Sequence, residues 1–212
     1  MTNDGSDNII NGTFDWVYEE EFNCRDWFRW SSDGMFIAFW QSDTRGTGVF
    51  YMINNTDSIY PKLIPIPYPK VGTTNSAVKV GIIPSTGGES TWFELPGDLR
   101  DNYIPRMDFI PNSNDLIIQR MNRLQNTNDI YLANADSKKI TKLFTESDSA
   151  WVDVEDDVFW MKGEKSFLWI SERNGWRQLY AVMRDGTGVK PIFTSNFDVI
   201  SIAGIDEKGG YV

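Results

Sequence analysis

The chain has 212 residues, 41% of them hydrophobic and 14% aromatic with nine tryptophans, which is ample side chain for a core. Its formal charge of −10 excludes a nucleic-acid footprint, which needs clustered Lys and Arg, and favours cationic ligands over long range. Histidine is absent, which rules out His-based metal ligation, Ser-His and Cys-His nucleophile systems and a histidine pH switch.

No apolar run is long enough to span a bilayer. Met1-Thr2-Asn3-Asp4-Gly5 reads as a turn rather than a signal peptide. Cys24 stands alone and reads as a small buried residue. There is no Gly-x-Ser-x-Gly elbow and no phosphate-binding Gly-rich loop. No catalysis, cofactor or metal is therefore expected of these residues by themselves.

In chain order, residues 2–13 are rich in Asn, Asp and Gly and read as a turn followed by a loop. Asp15-Trp16-Val17-Tyr18-Glu19-Glu20-Glu21-Phe22 then sets three consecutive carboxylates among aromatics. Like charges a few ångströms apart repel, and apolar surroundings raise their pKa values further. Such a triplet suits a place where a cation fills it or where all three acids face water. Asp15 can cap a short helical turn, its carboxylate accepting from orphan N–H groups at the positive dipole end. At 3.6 residues per turn, Glu20 and Glu21 share an arc with Trp16 and Val17. Glu19 turns toward Tyr18 and Phe22, which pair at i, i+4. Two acids can thus converge on one compact cation, and an α-ammonium with its three donors matches them. A solvated acidic turn fits the same residues, and the spacing leaves both readings open.

From Phe28 onward the pattern is β. Phe28-Arg29-Trp30-Ser31 is a short strand, Ser32-Asp33-Gly34 a turn, and residues 35–41 a second strand. Further on, residues 114–120, 129–133 and 140–145 are answered in the same order by 165–171, 177–181 and 189–194. Tyr131 and Tyr180 are 49 residues apart, as are Phe144 and Phe193. A unit of roughly 40–50 residues holding four strands is a β-propeller blade.

The fold expected is therefore all-β: a partial β-propeller of about three four-stranded blades plus part of another, with a short helical turn carrying the Glu-Glu pair. Its organisation is an opening loop and acidic turn (1–27), a first blade (28–103) with an inserted arm (about 42–75), a second blade (104–147), a third (148–196) and the start of a truncated blade (197–212). Three blades and a fragment cannot close a ring of roughly four to eight. The chain is thus expected to belong to a larger propeller, and its open strand edges to self-associate. The arm contains the Pro-rich residues 60–69, and proline blocks ladder donors, so it reads as an edge hairpin. It either projects as an interface or folds back over the rim.

Trp40, Trp92, Trp151, Trp160, Trp169 and Trp176 read as mostly strand-borne packing rather than a sugar platform. Asp153, Glu155, Asp156 and Asp157 lack the Gly-containing loop of a calcium site and read as a solvated charge run. Asn11-Gly12-Thr13 is a glycosylation sequon.

Four landmarks, in order, carry a resemblance to a known family. Trp16-Val17-Tyr18-Glu19-Glu20-Glu21 is similar to the double-glutamate motif of the dipeptidyl peptidase IV family. Trp30-Ser31-Ser32-Asp33-Gly34 resembles its Trp-Ser-Pro-Asn/Asp-Gly turn. Tyr60-Pro61-Lys62 and Pro67-Tyr68-Pro69-Lys70-Val71-Gly72 resemble its Tyr-Pro-Lys and Pro-Tyr-Pro-Lys-Ala-Gly segments. Gln119-Arg120-Met121-Asn122-Arg123-Leu124-Gln125-Asn126 resembles its Leu-Gln-Trp-Leu-Arg-Arg-x-Gln-Asn strand end.

The resemblance implies a serine peptidase that removes Xaa-Pro or Xaa-Ala dipeptides from peptide amino termini. It implies an eight-bladed propeller joined to an α/β-hydrolase domain, which holds the nucleophile, acid and histidine. Glu20 and Glu21 would then grip the substrate α-ammonium, with Glu19 supporting them. The implied partners are the peptide amino terminus, the hydrolase domain of the same parent chain and a second copy joined through the arm. Phe50, Tyr51, Tyr60 and Tyr68 are the arm candidates for that dimer. The family also implies a periplasmic, secreted or membrane-anchored protein with its propeller outside the cytoplasm. A catalytically inactive relative, acting as an interaction scaffold, is the alternative within the same resemblance. One departure stands out. Several members carry a Phe-Arg pair in the blade corresponding to Trp151 onward, where this chain has the acidic run Trp151-Val152-Asp153-Val154-Glu155-Asp156-Asp157 and no Arg.

Overall fold

Polar turns and apolar runs become fifteen strands and one helix among the described residues, 2–212, of the computed structural model. Of the turn read from Met1 to Gly5, Met1 lies outside the described residues. The chain divides into two compact units, Met1–Pro105 and Arg106–Val212.

In the first unit the elements are β1 (Ile9–Asn11), α1 (Trp16–Phe22), β2 (Phe28–Trp30), β3 (Phe36–Asp43), β4 (Val49–Asn54), β5 (Lys62–Pro67), β6 (Ala77–Pro84) and β7 (Thr91–Trp92). β8 (Asn102–Phe109) then runs across the boundary. β3 organises the first sheet, pairing antiparallel with β6 from Phe36↔Pro84 to Asp43↔Ala77. β6 in turn pairs with β7 at Gly81↔Trp92. A Cβ on Gly81 would sit 2.7 Å from the Trp92 ring, so only glycine lets that ring lie across β6.

The other edge of β3 is shared by two short strands. β1 covers Gln41 to Asp43, and β2 covers Ile37 to Phe39. The chain leaves the sheet and returns at one residue: Gly12 N–H donates to Trp40 O at 3.2 Å, and Trp40 N–H donates to Trp27 O at 3.0 Å. Gly12 makes the exit at φ 70°, which a side chain would disfavour. The acidic turn is therefore an excursion from inside an edge strand. This corrects the reading of residues 2–13 as turn and loop, because the first sheet begins at Ile9. Three residues are too few to show a period of two. Beside this edge, the side chain of Asn11 is already engaged, donating to Asp4 Oδ1 at 2.9 Å and accepting from Gln41 Nε2 at 2.8 Å.

The arm is the two-stranded ribbon β4–β5, paired from Val49↔Pro67 to Asn54↔Lys62. Five successive β4 residues, Val49 to Ile53, are all about half exposed or more, so both faces of the ribbon meet water.

The second unit holds two four-stranded sheets. One takes β8, β9 (Asp115–Asn122), β10 (Thr127–Asn134) and β11 (Ile140–Ser147), in that order. The other takes β12 (Phe159–Trp160), β13 (Ser166–Ser171), β14 (Gln178–Met183) and β15 (Val189–Phe193). The repeat holds at single-residue level. The β10–β11 register shifts between Ile130 and Tyr131, and the β14–β15 register shifts at the matching place, between Leu179 and Tyr180. A core of Ile117, Ile130, Leu143, Phe167, Trp169 and Val182 joins the two sheets. These sheets form a partial β-propeller with no closed barrel.

Within the stretch 197–212, expected to start a truncated blade, residues 200–205 form no strand among the described residues. Ile202 is buried against Leu168, Ile170 and Leu179, and only an isolated bridge, Asp206↔Tyr211, follows among the described residues. A backbone group outside a ladder needs another partner, and Ile200 O accepts from Arg177 Nη1 at 3.2 Å. Trp40 and Trp169 are core residues as expected, but Trp151 and Trp176 lie off the strands and are 48% and 43% exposed. Cys24 is buried, its thiol donating to Pro105 O at 3.2 Å.

Candidate functional site

With seven residues, α1 is too short to be stable in isolation, so its ends and one face hold it. Asp15 is the N-cap, its Oδ1 accepting from Tyr18 N–H at 3.1 Å. Burial pushes the Asp15 carboxyl above its ordinary value, against the hydrogen bonds that favour the charged form. Asn23 closes the helix in the left-handed conformation at φ 50°, and Cys24 N–H caps Tyr18 O at 3.2 Å. Tyr18 and Phe22 point inward, 2% and 4% exposed, with ring centroids 5.5 Å apart as an i, i+4 pair. Trp27 and Tyr103 pack against them. The Tyr18 hydroxyl accepts from Ile104 N–H at 2.9 Å, and burial lifts its pKa well above the usual tyrosine value.

The outer face carries the acids, and Glu19, Glu20 and Glu21 are all exposed. Glu19 meets Arg25 Nη1 at 3.3 Å in a solvated pair that contributes little to stability. Glu20 has no ion pair or hydrogen bond among the described residues. Trp16, one turn before Glu20, is 38% exposed and lies against Tyr68 with ring centroids 4.2 Å apart. The arrangement can present adjacent carboxylates to a cation from a turn whose other face is locked in the core.

The four arm candidates separate. Phe50, Tyr51 and Tyr60 are 48%, 57% and 82% exposed. Tyr68 is half-buried, its ring between Trp16 and Phe50. An apolar cleft of about 360 Å³ lined by Phe28, Trp30, Ile37, Phe39 and Ile83 also opens on the first sheet, with Asn11 as the one polar side chain besides Thr2.

In the second unit the acidic run 151–157 is not simply solvated. Glu155 is 8% exposed, and burial pushes its carboxyl up to about 7. Its Oε1 accepts from Asp157 N–H at 2.8 Å, and Arg177 Nη2 stands 3.5 Å from Oε2. Asp156 pairs with Arg106. The run has no Arg of its own, but the fold brings arginines to it from other elements. With Glu146, Trp151, Trp169, Arg173 and Arg177, Glu155 lines a cavity of about 190 Å³. Glu146 pairs with Arg173 at 2.5 Å and accepts from Trp169 Nε1 at 3.1 Å and Ser171 Oγ at 2.8 Å. Sequence reasoning missed this lining because its members lie on separate elements. The one available signal was the strand repeat, which aligns neighbouring sheets and so sets the end of β11 beside the end of β13.

A family model described as the dipeptidyl peptidase IV (DPP IV) N-terminal region matches residues 1–212. The chain is 27% identical to inactive dipeptidyl peptidase 10 of Mus musculus over 224 residues, covering 98% of this chain and 28% of that protein. It is 26% identical to the probable dipeptidyl peptidase 4 of Neosartorya fischeri, covering 98% of this chain and 29% of that one. Among solved structures, Porphyromonas gingivalis dipeptidyl peptidase 4 superposes with a TM-score of 0.87 at 30% identity, covering 98% of this chain and 30% of that one. The chain thus spans less than a third of the length of these relatives.

Proposed function

Since the chain belongs to the family of dipeptidyl peptidase IV N-terminal regions, we propose that it is the substrate-recognising propeller segment of a dipeptidyl peptidase IV-like serine peptidase. Glu20 and Glu21 bind the α-ammonium of a peptide, with Glu19 supporting them. That grip sets a two-residue ruler from the amino terminus to the scissile bond, and the dipeptides released are of the family's Xaa-Pro and Xaa-Ala type. The nucleophile and its partners belong to the α/β-hydrolase domain of the parent, and the arm pairs two copies. The observation that carries this reading is α1, which leaves the sheet and returns at Trp40, buries Tyr18 and Phe22, and holds Glu20 and Glu21 in water. A hydrogen bond to a charged group contributes roughly 1.5–3 kcal/mol.

In the parent enzyme, Glu20→Gln with Glu21→Gln is expected to lower kcat/KM on free-amine substrates by about 10²-fold or more, with the melting temperature unchanged. Near-normal turnover in that double variant would overturn the assignment. A second reading, the propeller of an inactive scaffold, is supported by the match to inactive dipeptidyl peptidase 10. The parent sequence separates the two: a Gly-x-Ser-x-Gly elbow followed by Asp and His supports the enzyme, and their loss supports the scaffold.

A further inference from the structure

We propose that Tyr68 is a positioning residue for the amino-terminus grip: its ring clamps Trp16 and so sets the angle at which α1 presents Glu20 and Glu21. The inference rests on the reading of those two acids as ammonium ligands. The caps at Asp15 and Cys24 and the inward side chains of Tyr18 and Phe22 fix the inner face of the short helix α1, while Trp16 on its first turn is partly exposed. The second anchor is Trp16. Its ring meets Tyr68 at 4.2 Å with an interplanar angle of 40°, and Tyr68 meets Phe50 at 5.8 Å.

Tyr68 is itself fixed, because its N–H donates to Gly48 O at 2.7 Å and closes the root of the arm. Trp16 and Glu20 are i, i+4 neighbours, and helical side chains lean toward the N-terminus. The turn that Tyr68 holds is thus the turn over which the Glu20 side chain leans. A carboxylate pair outcompetes water for an ammonium only when its geometry is set beforehand. Freeing Trp16 should therefore weaken recognition of the ammonium and leave contacts elsewhere on a peptide unaffected. The Tyr68 hydroxyl makes no hydrogen bond among the described residues, so the ring alone carries the role.

The test is calorimetric affinity of the full-length parent protein for an Ala-Pro-initiated peptide whose bond after Pro is replaced by a non-hydrolysable reduced amide, and for the N-acetylated form of the same ligand. Tyr68→Ala is expected to reduce the preference for the free amine about five- to tenfold, with affinity for the acetylated peptide unchanged. Tyr68→Phe, which keeps the ring, should retain the full preference. An unaltered preference in Tyr68→Ala, or an equal loss for both peptides, overturns the proposal. If Tyr68→Ala does not fold, Trp16→Leu removes the other ring and is read in the same way. The Glu20→Gln, Glu21→Gln variant separates the two levels. If it keeps the preference, the grip reading falls and this proposal with it. If it abolishes the preference while Tyr68→Ala leaves it intact, only the role of Tyr68 is lost.

Discussion

The two sheets of the second unit and the first sheet of the first unit are built from the same pattern and put it to different use. In the second unit four strands follow one another with short turns, and even the register shift at Ile130/Tyr131 returns 49 residues later at Leu179/Tyr180. In the first, the edge strand opens at Gly12 to release α1 and closes again at Trp27, and the arm β4–β5 is inserted between β3 and β6. Each insertion leaves the β3–β6 register intact over eight residue pairs. A ladder tolerates an excursion that exits and returns at one hydrogen-bonded residue, because no pairing beyond it shifts. Unusual chemistry can therefore be added without altering the scaffold.

If the regular sheets carry stability and the excursion carries recognition, the largest loss of stability belongs to the second unit. Trp169 is 1% exposed in the shared core and donates to Glu146. Trp169→Ala is expected to cost about 3–5 kcal/mol in urea unfolding; a loss of roughly 1 kcal/mol or less would show that the core collapses readily around the missing ring.

A smaller effect is expected in the excursion. Tyr18→Phe removes the acceptor for Ile104 N–H and should cost about 1–3 kcal/mol. Amide exchange ought to speed up along α1 while the second unit keeps its protection. Equal acceleration in both would mean that the excursion is part of the scaffold's cooperative unit.

The smallest change concerns pH. Burial holds Glu155 at about 7 against an ordinary 4.5, so the folded state binds that proton more tightly than the unfolded one. Stability contributed by this group is present below 4.5 and declines as pH rises toward 7. Arg177, 3.5 Å away, already holds that value below what burial alone would give. Glu155→Gln should flatten this decline, leaving the variant more stable than the parent sequence at pH 8 and equal to it at pH 4. An unchanged pH–stability profile would assign the decline to other groups.

Much of this organisation was legible beforehand, for physical reasons. The strand repeat shows because sheet packing imposes a period of two and polar turns punctuate it. The N-cap at Asp15 and the Tyr18–Phe22 pair show because both are local to one helical turn. The Glu155–Arg177 and Glu146–Arg173 pairs did not, since each joins residues more than twenty positions apart. For the same reason a run of acids that looked solvated contains a buried carboxyl. Strand β1 escaped because three residues cannot display alternation, and the stretch 197–212 carries an apolar run at 200–205 that forms no strand among the described residues.

The amino-acid order alone determined that this chain is all-β, built on a repeating four-stranded unit, and interrupted by an acidic helical turn and a proline-rich arm. Those properties depend on neighbours a few positions away, which covalent geometry brings together. Only the tertiary structure decided that the acidic turn hangs from a single residue of a strand, that Tyr68 braces Trp16, and that distant arginines close a cavity around Glu155. Those contacts exist only once chain segments far apart in sequence have been packed side by side.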